Sequence, residues 1–116
     1  MEKLSIKRVY EPRAKADGTR VLVDRLWPRG LGKDERADVI WLKEIAPSTA
    51  LRKWFGHEPS RWPQFYARYW AELEAMPQAV ERLCQLLEKG PVTLLYSARN
   101  QEQNQAVVLR DFLKAR

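Results

Sequence analysis

The segment from Val21 to Gly30, VLVDRLWPRG, constrains the fold more than any other part of the chain. Its consecutive apolar residues, Val21 to Val23, are typical of a strand buried on both faces of a parallel sheet. The polar residues that follow lead into a turn with Pro28 and Gly30, which ends the strand. In open α/β sheets, ligands bind at the carboxyl ends of the strands. The segment therefore predicts a central strand and a binding site at its end.

A second apolar run, Val92 to Tyr96, follows a helix stop at Gly90 and Pro91 and predicts another doubly buried strand. Between the two runs, apolar residues recur at helical spacing and predict several helices. Parallel strands need a crossover connection, so we expect an α/β fold. It has a small, mainly parallel sheet flanked by helices, and a long multi-helix crossover that packs helices on both faces. Residues 4–9 predict a strand near the sheet edge.

Local signals give more detailed expectations. The first buried strand should span about residues 20–25, and the charged segment from Lys33 to Asp38 should be a solvated connection. Ser48 is placed to cap a short helix that ends at Gly56. Ser60 is placed to cap the next helix.

Composition indicates one globular domain. The chain has 116 residues, 45% of them hydrophobic, and no linker or repeat divides it, so residues 1–116 are expected to form a single domain. Its lone cysteine excludes an internal disulfide. No segment resembles a signal peptide or a membrane span, so we expect a cytoplasmic protein with no membrane partner. No metal-binding motif or cofactor fingerprint is visible, so neither a metal nor a cofactor is expected.

The residues after the first buried strand supply most of the predicted site. Arg25 and Arg29 are suited to bind a phosphate or carboxylate in a bidentate manner. Asp24 has two interpretations: it pairs with a neighbouring cation at the strand end, or it contacts a ligand. Trp27 lies between the strand end and Pro28, where its ring can stack on a planar ligand or on an arginine.

The second buried strand adds three candidates at the same edge. Tyr96 ends that strand, so its hydroxyl is expected to converge with Arg25 if the strands are neighbours. The turn after it leads into a helix N-terminus, whose free N–H groups and positive dipole end attract anions. Asn100 and Asn104 lie in this turn, and one of them should cap the helix. His57, the single histidine, is interpreted only as the end of a short helix.

Several segments together resemble one known family. They are DRLWPRGL (24–31), WLKEIAPSTALRKWFGHEPSRWPQFYARY (41–69), GPVTLLYSA (90–98) and NQAVVL (104–109). They resemble the YeaO-like group within the domain of unknown function 488 over nearly the whole chain. The resemblance implies no specific activity, but it implies an Asp and a His in the turn after the last strand. This chain has Asn100 and Gln103 there, so an acid–base pair used by relatives would be lost here, while binding could persist.

Three hypotheses of function stay open. The first is binding of a small anionic ligand at the carboxyl edge of the strands, with no catalytic residue assigned and the question of a reaction undecided. The second is nucleic-acid binding, which the net charge of +6 at pH 7 suggests but which interleaved acids and bases disfavour. The third is a protein-interaction module, which requires several of the five tryptophans to be exposed. The sequence does not define an oligomeric state.

Overall fold

The protein is built around a parallel sheet, and the computed structural model describes residues 3–116. The strands in this range are β1 (Leu4–Arg8), β2 (Thr19–Leu22), β3 (Ile40–Trp41) and β4 (Val92–Tyr96). They form one sheet in the order β1-β4-β2-β3, and every pair is parallel. Residues 19–22 of β2 pair with residues 92–95 of β4, so the two apolar runs are neighbours. The central prediction from the sequence is therefore confirmed.

Helices pack against this sheet. Those within residues 3–116 are α1 (Lys33–Ala37), α2 (Thr49–Phe55), α3 (Trp62–Glu74), α4 (Pro77–Lys89) and α5 (Gln105–Lys114). Because α2, α3 and α4 lie between β3 and β4, the long multi-helix crossover is confirmed. In the part of the chain that the structure describes, no helix combines the length and the apolar character needed to span a bilayer.

The two faces of the sheet are covered unequally. Alternate strand residues point to opposite faces, and Val21 and Leu94 belong to the larger core cluster, against which α2 to α5 pack. On the other face, Leu22 and Leu95 pack with Val9 and with partly buried side chains of segment 27–41. The expectation of crossover helices on both faces is therefore wrong for the long helices. Their apolar stripes all meet the first face, and loops with the short α1 cover the second.

Two capping predictions are confirmed. The hydroxyl of Ser48 accepts a hydrogen bond from the Leu51 N–H at 3.1 Å, so Ser48 caps α2, and Gly56 ends this helix in the left-handed region at φ 52°. The side-chain oxygen of Asn104 accepts from the Val107 N–H at 3.1 Å and caps α5. Both caps fix the N-terminal end of a helix that borders the carboxyl edge of the sheet.

Other local expectations need correction. Ser60 does not cap α3, because it lies inside a 3₁₀ turn, Pro59–Arg61, that Pro59 begins. β2 ends at Leu22 rather than near residue 25. The Val23 N–H still donates to the Leu95 carbonyl at 3.0 Å, but the Asp24 carbonyl accepts from the Trp41 indole N–H at 2.7 Å instead of from a strand backbone. The charged segment 33–38, expected as a connection, contains α1, in which no residue is buried.

A buried ionic cluster ties the connection between β1 and β2 to the sheet. The carboxylate of Asp17 accepts hydrogen bonds from the Ala14 N–H at 3.0 Å, from Lys7 Nζ at 3.1 Å and from Arg20 Nη1 at 2.5 Å. Burial opposes ionisation of Asp17, but these bonds outweigh it and lower the pKa of the carboxyl. The hydroxyl of Thr93 donates to the Asp17 carbonyl oxygen at 2.8 Å. The cluster therefore links β1, β2 and β4.

Candidate functional site

A cavity of about 480 Å³ opens at the carboxyl edge of β2 and β4. Its walls come from the turns after these two strands, from the end of α2 and from the start of α5. The lining includes the cations Arg25, Arg29, Arg52 and Lys53, the aromatic residues Trp27, Phe55 and Phe65, and the polar residues Asp24, Ser97, Asn104 and Gln105. The cavity thus lies where the parallel strands were expected to form a site.

Asp24 lines the cavity with a largely buried carboxylate. Ser97 donates to it from its N–H, at 3.2 Å, and from its hydroxyl, and Gln105 donates from its side-chain amide. Burial raises the pKa of the Asp24 carboxyl, while the hydrogen bonds from Ser97 and Gln105 lessen the rise. Within residues 3–116 no cation forms an ion pair with Asp24. The ion-pair interpretation is therefore wrong, because the carboxylate accepts hydrogen bonds from Ser97 and Gln105 instead.

Arg25 also lines the cavity, but part of its guanidinium is engaged by the protein. Its Nε donates to the Pro47 carbonyl at 2.9 Å, and its Nη2 donates to the Ala46 carbonyl at 3.1 Å. Both carbonyls belong to buried residues just before the Ser48 cap of α2. Arg25 therefore anchors the loop that positions α2, and it also adds positive charge to the cavity wall.

Trp27 and Arg29 lie on the same turn after β2. The Trp27 indole Nε1 donates to the Leu31 carbonyl at 2.9 Å, and its ring meets the Trp41 ring edge-on at 5.4 Å. These contacts fix the ring while part of it faces the cavity. Arg29 is exposed at the cavity, and its backbone carbonyl accepts a hydrogen bond from the Tyr10 hydroxyl at 2.8 Å.

The three candidates from the second strand do not all line the cavity, although the Asn104 side-chain amide donates to the Asn100 carbonyl at 2.9 Å. Asn104 lines the cavity while it caps α5. Tyr96 is buried with the larger core cluster, on the same strand face as Leu94, and is not among the residues that line the cavity within the described chain. Asn100 is also outside that lining; its side chain accepts hydrogen bonds from the Glu102 and Gln103 N–H groups, both at 2.9 Å. Of these three residues, Asn104 alone therefore lines the cavity together with Arg25.

The cavity contains residues that sequence reasoning missed. Arg52 and Lys53 lie in the last turn of α2, and His57 follows its end. His57 has a left-handed backbone, at φ 58°, which is uncommon for a residue with a side chain. The basic pair before Gly56 is visible in the sequence, but only the packing of α2 brings it to the sheet edge. Nothing in the sequence indicates the backbone conformation of His57.

The charge of the cavity is strongly unbalanced. Arg25, Arg29, Arg52 and Lys53 line it, and Asp24 is its acidic side chain. Within residues 3–116, none of these cations forms an ion pair. Clustered charges of one sign in a concave site attract ligands of the opposite sign. The described residues include no group of three His, Cys, Asp or Glu side chains able to hold a metal ion.

The tryptophans do not form an exposed surface. Trp27 and Trp41 pack in the smaller core cluster, and the other three indoles pack against the larger one. The exposed large hydrophobic side chains of residues 3–116 are Tyr10 and Leu26. The premise of the interaction-module hypothesis, several exposed indoles, is therefore not met.

Comparison with known proteins shows the family of the chain. A family model described as "Inactive DUF488-N3 subclade" matches residues 3–116. The chain is 49% identical over 112 residues to "Uncharacterized protein YeaO" of Escherichia coli (strain K12), with 97% of each chain covered. It is 40% identical over 114 residues to "Uncharacterized protein Rv3073c" of Mycobacterium tuberculosis, which covers 98% of this chain and 96% of that one. No solved structure matches it significantly. The chain therefore belongs to the YeaO-like DUF488 family, within the subclade described as inactive.

Proposed function

We propose that this protein binds a small anionic ligand, bearing a phosphate or a carboxylate, in the cavity at the carboxyl edge of β2 and β4. The observation that carries the proposal is the set of cations that line this cavity without an ion-pair partner, Arg25, Arg29, Arg52 and Lys53. Arginine and lysine held in a concave, partly desolvated site bind anions more strongly than the same side chains on an open surface.

The shape of the cavity supports a small ligand. Its volume, about 480 Å³, falls within the range of about 300–1,000 Å³ that is typical of small-molecule sites. Trp27 and Phe55 offer aromatic surface for a carbon skeleton, and the first turn of α5 adds the positive end of a helix dipole. A cavity of this kind suits a metabolite better than a nucleic-acid backbone, which is bound along an extended surface.

The turn after β4, whose first and last residues line the cavity, favours binding without a reaction. The turn after β4 has the amides Asn100 and Gln103 where the family resemblance implies an acid and a base. An amide does not exchange a proton near neutral pH, so these positions cannot act in general acid–base catalysis. The description of the matching subclade as inactive agrees with this interpretation.

A thermal-shift screen tests the proposal. The melting temperature of the protein is measured with inorganic phosphate, ribose 5-phosphate, adenosine monophosphate and citrate, each at low and moderate salt. A ligand present at 100 times its Kd stabilises the folded state by about 2.7 kcal/mol. The double variant Arg29→Met with Arg52→Met should lose this stabilisation. These two side chains are exposed at the cavity, and within the described residues neither donates a hydrogen bond to the protein.

The matched control removes two cations elsewhere. Arg82→Met with Lys114→Met has the same net charge as the test variant, and both residues are exposed outside the cavity lining. It should keep the ligand-induced shift. The proposal fails if no anion of the panel raises the melting temperature, or if both double variants respond equally. Retardation of duplex DNA or RNA by the wild type, lost equally in both variants, would favour the nucleic-acid alternative instead.

A further inference from the structure

The cavity contains one feature that a simple anion site does not need. Asp24 is the acidic side chain of a lining that is otherwise cationic, aromatic or neutral. A carboxylate repels an anionic ligand, so its presence lowers the affinity for a bare anion. An anion site with this carboxylate therefore discriminates between ligands as well as attracting them.

Asp24 combines a structural role with an electrostatic cost, since its carboxylate ties the turn after β2 to Ser97 and to Gln105 of α5. Its carboxylate is buried without an ion-pair partner among residues 3–116. Burial raises its pKa despite the hydrogen bonds from Ser97 and Gln105, so the ionised form is held at a cost to the free energy of folding. Ionisable groups placed at such a cost in a cavity are typical of functional sites.

The hydrogen bonds of Asp24 leave it one free acceptor position. Its Oδ2 accepts from the Ser97 N–H and hydroxyl, and its Oδ1 accepts from the Gln105 amide. A carboxylate offers about four acceptor positions, two on each oxygen. Among the described residues, no donor fills the second position on Oδ1 of this cavity-lining residue. A ligand can fill it only with a hydrogen-bond donor.

The surrounding charge selects the kind of donor. An ammonium group would enter a cavity where Arg25, Arg29, Arg52 and Lys53 outnumber a single carboxylate, so its charge is opposed. A hydroxyl group is neutral and meets no such opposition. The number of cations also favours a phosphate dianion over a single carboxylate, because more positive charge is available than one negative charge uses.

Resting on the proposed function, we infer that the ligand is a hydroxyl-bearing phosphate monoester, of the polyol or sugar phosphate class. Its phosphate contacts Arg29, Arg52 and Lys53, and one of its hydroxyl groups donates to Asp24 Oδ1. The carbon skeleton between them lies against the aromatic wall that includes Trp27. The carboxylate therefore acts as the specificity-determining group, and the cations supply most of the attraction.

Calorimetric titration with two matched phosphates tests this inference. Ribitol 5-phosphate and n-pentyl phosphate have the same charge and the same number of carbon atoms, but only the first has hydroxyl groups on its chain. Wild-type protein should bind ribitol 5-phosphate about tenfold more tightly, which corresponds to about 1.4 kcal/mol. In Asp24→Ala the ratio of the two Kd values should fall to about one, because the side chain then offers neither an acceptor nor a donor to the ligand hydroxyl.

Further variants keep the test decisive. Asp24→Leu also removes the carboxylate without adding a polar atom, and it serves if Asp24→Ala does not fold. Asp34→Asn removes an exposed acid of α1 outside the cavity lining and should keep the tenfold ratio. Equal binding of both phosphates by wild type, or a ratio unchanged in both Asp24 variants, overturns the inference and leaves the proposed anion site standing. Binding of neither phosphate overturns the inference, and the proposed function fails with it if the anion screen is also negative.

Discussion

Replacing Arg25 by methionine should destabilise the fold, although this residue was predicted from the sequence as a ligand-binding group. Methionine keeps the length and apolar character of the side chain but removes both hydrogen bonds to the carbonyls of Ala46 and Pro47. These carbonyls lie in the buried loop before α2, and the Ala46 residue is only 1% exposed. The loop should therefore lose its anchor and leave two polar groups without a partner.

The size of the effect follows from these two bonds. A hydrogen bond from a charged donor contributes about 1.5–3 kcal/mol. Because Arg25 borders an open cavity that admits water, the lower value applies, and two bonds give about 3 kcal/mol. At about 4 °C per kcal/mol for a domain of this size, the melting temperature should fall by about 12 °C.

Urea denaturation followed by circular dichroism measures the free energy of unfolding of this variant. Arg29→Met is the matched control, because it removes an exposed cation from the same turn and should change stability by less than about 0.5 kcal/mol. Arg25→Lys keeps a charged donor and should recover part of the loss. If Arg25→Met and Arg29→Met unfold at the same urea concentration, Arg25 does not anchor the loop and the reasoning is refuted.

Two further predictions concern the connection between β1 and β2. Gly18→Ala should destabilise by about 3 kcal/mol, because Gly18 has φ 64° and a Cβ there would lie 2.3 Å from the Pro91 carbonyl oxygen. Gly30→Ala, at φ 81° with open space around it, should cost only about 1 kcal/mol, so equal losses in urea denaturation would argue against the close contact. Asp17 has a lowered pKa, so its stabilising contribution is complete above its ordinary pKa of 3.8 and is lost as pH falls through the lowered value. Asp17→Asn should therefore unfold more easily than wild type at pH 7 and show a smaller difference at pH 2.5, and a constant difference between these pH values would contradict this assignment.

The sheet could be predicted because its strands have clear patterns. The apolar runs that become β2 and β4 are typical of strands buried on both faces of a sheet. Their parallel pairing follows from the helices between them. β3 and α1 were not predicted, since Ile40–Trp41 is too short for a pattern and Lys33–Ala37 has no buried residue. A strand or helix without a buried face leaves no periodic signal in the sequence.

The sequence predicts where the candidate site lies, but it does not predict which side chains line it. The turn after β2 lies in the cavity wall, because the carboxyl ends of parallel strands share an edge, while its role in binding stays a prediction. The direction of individual side chains was not predictable: Arg25 turns back to loop carbonyls. Tyr96 follows the strand alternation into the core with Leu94, which the period of two could have indicated. Arg52 and Lys53 reach the cavity only through the packing of a helix that is distant in sequence.

The strand order has a consequence for synthesis on the ribosome. β4 is the last strand to be made, yet it lies between β1 and β2, and in the described sheet β1 pairs with β4 alone, with Leu4 opposite Val92. The nascent chain must therefore emerge as far as Tyr96 before its sheet can close. Until then one edge of β2 has no neighbouring strand. A stalled or truncated chain therefore exposes the apolar residues of β2 to chaperones and proteases. Closure of this sheet is consequently delayed until the residues of β4 have been translated.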